Sequence, residues 1–149
     1  IELYSKRNHS MELNDFKLRI RLHPNFIDVS KVYIKERLGK YYDSDFISIT
    51  SNKDSSFYDD LIWSTHHLTS TSTTAIECLM FNRLSGVFGP YAKEFFSDYI
   101  NEGSVNYLNL CDKGSLPILV EWLGKSFNNT KISSKNISIC LADSRNIIS

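Results

Sequence analysis

Apolar and basic residues alternate along one segment near the start of the chain, in the order Phe16, Lys17, Leu18, Arg19, Ile20, Arg21, Leu22. A period of two predicts a β-strand with an apolar face against the core and a basic face in solvent. His23-Pro24 follows directly. Because proline has no N–H to donate to a strand ladder, this dipeptide predicts the end of the strand.

Helical and strand patterns follow in turn. Asp28 is a suitable N-cap for a helix that runs to Leu38, and Gly39 can adopt the left-handed conformation that closes it. Residues 46–50 have the composition of a second strand. A polar stretch then precedes a new alternation at residues 61–65, and two strands around a polar connection predict a β-hairpin.

Residues 59–80 change their period halfway. The alternation of residues 61–65 gives way to a Ser/Thr run and then to apolar residues at helical spacing. Thr74 and Glu77 match the capping box at the start of a helix, so we expect an amphipathic helix to Val87. A further helical segment is expected from Pro90 to Ile100.

The remaining pattern completes a mixed order of elements. Residues 105–110 predict a strand, and residues 137–141 predict the last strand. Residues 116–127 favour a helix, although their β-branched residues also permit a strand.

This order predicts one α+β domain over residues 16–149. We expect a single antiparallel or mixed sheet with helices packed on one face and the split βαβ character of ferredoxin-like folds. Residues 1–15 are expected to form an N-terminal extension that is partly flexible.

Charge is balanced overall but not along the chain. The 149 residues contain 17 basic and 17 acidic side chains, which argues against a general nucleic-acid binder. Residues 41–110 have an acidic excess, whereas the flanking segments have a basic excess. Either these segments neutralise one another in the fold, or the middle one forms an acidic face for a basic protein partner.

Cysteine usage and hydropathy indicate a reducing compartment. Cys78, Cys111 and Cys140 are an odd number without a CxxC pair, and the first ten residues lack the apolar centre of a signal peptide. Residues 116–120, the longest apolar run, are too few to cross a bilayer. We therefore expect a cytoplasmic protein with reduced thiols and no membrane partner.

Residues that often carry chemistry do not form a recognisable catalytic motif. His66 and His67 are adjacent, and neighbouring residues on a strand point to opposite faces, so a shared metal ion is not expected. The Ser/Thr run of residues 69–74 can bind phosphate through its hydroxyls or serve simply as a capped loop. No catalytic residue, metal or cofactor is therefore predicted.

Aromatic and acidic side chains cluster in the middle of the chain, which is typical of a surface that binds a basic protein. The predicted partner-binding residues are Tyr41, Tyr42, Asp43, Asp45, Tyr58, Asp59, Asp60 and Trp63. An alternative reading places Trp63 in the hydrophobic core.

Short motifs give the chain a family resemblance. Residues 18–20, the Leu38-Gly39 pair, the Trp63-Ser64 pair and residues 137–139 resemble a group of small bacterial domains of unknown function, often found among polymorphic-toxin immunity proteins. The resemblance implies a cytoplasmic, non-enzymatic protein that neutralises a cognate toxin by direct binding.

Two other functions stay open. One is a small metal-dependent hydrolase or nucleotide-handling enzyme that uses His66, His67 and nearby acids. The other is a viral or host-interaction module, which composition does not distinguish from an immunity protein.

Overall fold

One parallel β-sheet organises the protein. The computed structural model describes residues 16–23, 27–110, 114–125 and 135–141. Its strands are β1 (Phe16–Leu22), β2 (Ile47–Thr50), β3 (His66–Thr69), β4 (Leu84–Phe88), β5 (Val105–Leu108) and β6 (Lys135–Leu141). They lie in the order β2-β1-β6-β3-β4-β5, and every neighbouring pair is parallel. The last strand, β6, therefore lies in the middle of the sheet.

Helices connect the strands and cover both faces of the sheet. They are α1 (Ile27–Leu38), α2 (Phe57–Trp63), α3 (Thr74–Glu77), α4 (Ala92–Phe95), α5 (Ser97–Asn101) and α6 (Leu116–Gly124). Short 3₁₀ turns follow α1 and α3, at Gly39–Tyr41 and Cys78–Phe81. The predicted N-terminal extension, residues 1–15, lies outside the described residues.

The prediction of an antiparallel or mixed sheet with helices on one face is wrong. Residues 51–56 do not form a hairpin loop but lead into α2, and β1 and β6 lie between β2 and β3. Parallel strands require a crossover connection, and a helix is its usual form. Strands that alternate with helices in this way belong to the α/β class.

The residues that change period explain the error. The alternation at residues 61–65 belongs largely to α2, whose capping box is formed by Ser56 and Asp59. The predicted box at Thr74 is also wrong, because α3 has Thr73 as N-cap without a side-chain hydrogen bond. The expected helix to Val87 breaks at Asn82, and residues 84–88 form β4.

Other predicted elements are confirmed. The strands of residues 16–22, 46–50, 105–110 and 137–141 correspond to β1, β2, β5 and β6. The helices predicted from Asp28 and from Leu116 correspond to α1 and α6, although α1 begins at Ile27, so Asp28 lies inside the helix and is not its N-cap.

The first face of the sheet is mainly apolar. Ile34 of α1 packs on Ile20 and Leu22 of β1. Farther along the sheet, Trp122 and Leu123 of α6 pack against the strand residues Leu68, Leu108 and Ile137. Burial of these side chains supplies the main hydrophobic stabilisation of this layer.

The second face divides into an apolar half and a polar half. Over β4 and β5, a buried cluster comprises Ala75, Val87, Ala92, Phe96 and Val105. Over β1, β6 and β3, the inward positions are mostly polar: Arg19, Arg21, Ser138, Cys140, His67 and Thr69. The basic face of β1 was expected in solvent, yet Arg21 is buried because α2 lies over it.

The helices are short relative to the thickness of a membrane. Among the described residues, none forms a helix long and apolar enough to cross a bilayer.

Gly86 allows the closest contact on the first face, so Gly86→Ala is expected to destabilise the protein by about 1–3 kcal/mol. A Cβ atom at this position would lie 2.8 Å from Cζ2 of Trp122 and 3.1 Å from Cδ1 of Leu68. Urea denaturation measures the free energy of unfolding.

Gly124→Ala is the matched control because a Cβ atom there would meet nothing within 4 Å. It is expected to leave stability unchanged or raise it by up to about 1 kcal/mol. Equal effects at the two glycines would contradict the packing of α6 on β4.

Candidate functional site

Asp60 is the centre of the polar half of the second face. The carboxylate accepts a hydrogen bond of 2.9 Å from Nη1 of Arg19 and one of 2.6 Å from Nη1 of Arg21. Thr50 and Ser55 hydroxyls approach the same carboxylate at 3.4 and 3.3 Å. Only 1% of Asp60 is exposed, so its carboxylate has lost its hydration. These contacts compensate for that loss.

Aromatic rings of α2 cover the two arginines. The guanidinium of Arg19 lies 4.2 Å from the ring centroid of Trp63, and that of Arg21 lies 6.0 Å from the ring centroid of Phe57. Cation–π contacts of this kind stabilise a partly desolvated cation. Helix α2 therefore supplies both the counterion and the apolar cover for the basic face of β1.

The two guanidiniums share one buried carboxylate, and a second, exposed carboxylate lies nearby. Arg19 and Arg21 both pair with Asp60. Oδ2 of Asp54 accepts hydrogen bonds from the backbone N–H and hydroxyl of Ser51. Those bonds are the main reason that the pKa of Asp54 is lowered, and Arg21 is among the cations that also lower its pKa.

His67 is the second buried polar group of this face. Its Nδ1 lies 2.9 Å from Oγ of Ser138, and its Nε2 lies 3.0 Å from Oγ1 of Thr74. The ring of Phe57 packs edge-on against the imidazole at 5.8 Å. Burial lowers the pKa of His67 to about 4, although Asp60 acts in the opposite direction, so the imidazole is neutral near pH 7.

A pocket of about 500 Å³ opens directly beside these groups, at the carboxyl ends of the strands. The lining residues are Arg21, Leu22, His23, Asn52, Ser55, Ser56, Phe57, Tyr58, Ser72, Thr74 and Cys140. They come from the ends of β1, β2 and β6, from the start of α2, and from the loop after β3 and the start of α3. Cationic, hydroxyl and aromatic side chains thus converge on one cavity.

The topology of the sheet explains why a pocket forms there. The connection after β1 runs through α1 on the first face to β2, whereas the connection after β3 runs through α3 on the second face to β4. Chains that leave neighbouring parts of a parallel sheet in opposite directions open a crevice at the carboxyl edge, where α/β proteins bind ligands.

The predicted partner-binding residues are divided between the two edges of the sheet. Residues 41–45 follow α1 at the amino ends of the strands, where Lys17 donates a hydrogen bond to the backbone oxygen of Asp45. Tyr58 and Asp59 begin α2 at the carboxyl edge and are exposed.

The other two residues of that group contact the interior of the protein. Asp60 is buried in the ion pairs, and Trp63 packs on Arg19. Binding of a basic protein by this group of residues stays a prediction.

The two histidines lie on opposite faces, as their adjacency predicted. His66 packs its ring edge-on against Trp122 at 4.9 Å on the first face, whereas His67 faces α2 and α3. Within the ranges that the structure describes, no group of three or more His, Cys, Asp or Glu residues could hold a metal ion.

Sequence reasoning missed the groups that form this site, namely Arg19, Arg21, Ser138 and the pairing of His67 with Thr74. Their separation along the chain hid them, because Asp60 lies about 40 residues from its arginines and Ser138 lies 71 residues from His67. The Ser/Thr run of residues 69–74 was the one available signal, since it supplies Ser72 and Thr74 to the pocket.

The chain matches no protein-family model, no curated protein and no solved structure.

Asp60→Asn is expected to destabilise the protein by about 3–5 kcal/mol, because the buried guanidinium of Arg21 and the half-buried one of Arg19 would lose the carboxylate that pairs with both. Asp59→Asn is the matched control: this neighbouring side chain is exposed and accepts one hydrogen bond from the backbone N–H of Ser56. The control is expected to cost less than about 1 kcal/mol. Chemical denaturation of both variants measures the difference, and comparable losses would argue against the ion-pair network.

Acid is expected to destabilise the protein through His67. An unfolded chain protonates this imidazole near its ordinary pKa of 6.5, whereas the folded protein does so only near 4. The free energy of unfolding should therefore fall by about 2–3 kcal/mol from about pH 7 to about pH 4.5. Denaturation at both pH values should show a smaller fall for His67→Gln, and an identical fall would contradict the assignment.

Proposed function

We propose that this protein binds a phosphate-bearing small molecule of nucleotide size in the carboxyl-edge pocket. The observation that carries the proposal is the position of Arg21, which lines a cavity of about 500 Å³ where the connections diverge. Cavities of roughly 300–1,000 Å³ are typical of small-molecule sites. The nucleotide-handling alternative of the sequence analysis fits this geometry better than a metal-dependent hydrolase does.

Arg21 is suited to hold a phosphate. Its hydrogen bonds to Asp60 and to Ser55 fix the guanidinium in place from one side. Within the described part of the chain, these bonds and one to the Ser55 hydroxyl occupy three of its five N–H groups. A fixed planar guanidinium with remaining donors is the group that best matches the geometry of phosphate oxygens.

The other lining residues suit the rest of such a ligand. Ser55, Ser56, Ser72 and Thr74 contribute side-chain hydroxyls around the cavity. Phe57 and Tyr58 contribute aromatic surface, and Tyr58 is 54% exposed. Hydroxyls and a guanidinium recognise phosphates and sugars, whereas an aromatic ring can stack on a base, so the three classes together favour a nucleotide.

Toxin neutralisation by direct binding stays a prediction from the resemblance alone. The acidic and aromatic residues that would support it are split between the two edges of the sheet. The pocket, in contrast, is a single feature that gathers several kinds of side chain. Ligand binding therefore has more support from the geometry than protein binding has.

Titration calorimetry with nucleoside diphosphates, the matching nucleosides and pyrophosphate tests the proposal. We expect at least one diphosphate to bind with a dissociation constant of about 1 mM or tighter, and its nucleoside to bind at least about tenfold more weakly. Tyr58→Ala is expected to weaken diphosphate binding by about five- to tenfold through loss of aromatic contact.

Tyr91→Ala is the matched control, since Tyr91 is 67% exposed, precedes α4 and does not line the pocket. It should leave the affinity unchanged. Absence of binding by every diphosphate and by pyrophosphate at about 1 mM would refute the proposed function.

A further inference from the structure

We propose that Ser138, His67 and Thr74 form a hydrogen-bond relay that directs the Thr74 hydroxyl into the pocket as a donor to a phosphate oxygen. The inference rests on the proposed function and assigns a positioning role to His67. It makes the site one in which donors from strand β1 and from the start of α3 meet the same anion.

The relay is defined by two short contacts through one ring. Ser138 Oγ lies 2.9 Å from Nδ1 of His67, and Thr74 Oγ1 lies 3.0 Å from Nε2. A neutral imidazole has one N–H and one acceptor nitrogen, so the ring accepts a hydrogen bond from one of the two hydroxyls and donates one to the other. If the Ser138 hydroxyl donates to Nδ1, then Nε2–H donates to Thr74, whose own O–H is left to donate elsewhere.

The surroundings of His67 favour a fixed, neutral ring. The side chain is buried and packs against Phe57. Because burial lowers the pKa of His67 to about 4, the ring keeps a single N–H near neutral pH. A doubly protonated ring would bring a third cation to the face that already holds Arg19 and Arg21.

In this arrangement the free O–H of Thr74 is available to a ligand, because Thr74 borders the pocket. Thr74 lines the pocket together with Cys140. Burial raises the pKa of the Cys140 thiol, and Arg21 and a hydrogen bond with Thr74 act in the opposite direction. Since sulfur is a weak hydrogen-bond acceptor, a phosphate oxygen would readily outcompete the Cys140 thiol for the Thr74 O–H.

The relay also explains the choice of ligand. With Thr74 held as a donor, the pocket offers the guanidinium of Arg21 and a hydroxyl hydrogen toward the same space. Such a pair favours ligands with several negatively charged oxygens over neutral ligands of the same shape. We therefore expect pyrophosphate, or the diphosphate group of a nucleotide, to be the part of the ligand that the relay recognises.

Four substitutions at Thr74 and His67 and one control at Thr73 test the relay, with pyrophosphate as the calorimetric probe and circular dichroism as the check on folding. Thr74→Val keeps the shape but removes the hydroxyl and should weaken pyrophosphate binding about tenfold, whereas Thr74→Ser should stay within about threefold of the wild type. Thr73→Val, at the exposed neighbouring residue, is the control and should change nothing.

Substitutions at His67 separate positioning from structural support. His67→Gln places an amide N–H where Nε2 lies and should retain binding within about threefold, whereas His67→Asn reaches only the Nδ1 position and should lose about tenfold. If folded Thr74→Val and His67→Asn bind pyrophosphate like the wild type, the relay is refuted while the proposed function stands. If the wild type itself binds no phosphate-bearing probe, both are refuted.

Discussion

The ion pairs between Asp60 and the two arginines of β1 are the interaction on which this fold depends. A central strand of a parallel sheet must be covered on both faces, yet one face of β1 is basic. Helix α2 makes this burial possible because it brings a carboxylate to Arg19 and Arg21 and an aromatic ring to each of them. Without this counterion, the second face of β1 would have to remain in water.

The same arrangement creates the site. Arg21 belongs both to the ion pairs and to the lining of the pocket that the divergent connections open at the carboxyl edge. His67 then adds a buried polar contact between β6 and Thr74 at the start of α3. One arginine thus takes part both in the ion pairs of the sheet interior and in the border of the cavity.

Local patterns predicted the elements whose residues act close together in sequence. Strand β1, helix α1 and helix α6 follow directly from alternation and helical spacing. The burial of the basic face of β1 could not be predicted in this way. The alternation of Phe16–Leu22 is the same whether that face contacts water or a carboxylate that is distant in sequence. The site depended on that same missing information, because Asp60 and Ser138 reach it only through the fold.

The place of β6 in the sheet has a consequence for how the protein folds. Strands β1 and β3 do not pair with each other, and β6 alone joins the β2-β1 half to the β3-β4-β5 half. Its partners on β1 precede it by more than 100 residues. Such high contact order makes closure of the sheet slow, and both halves present open strand edges until residues 135–141 have been synthesised and inserted. The two halves can form early, but the pocket between them is completed last.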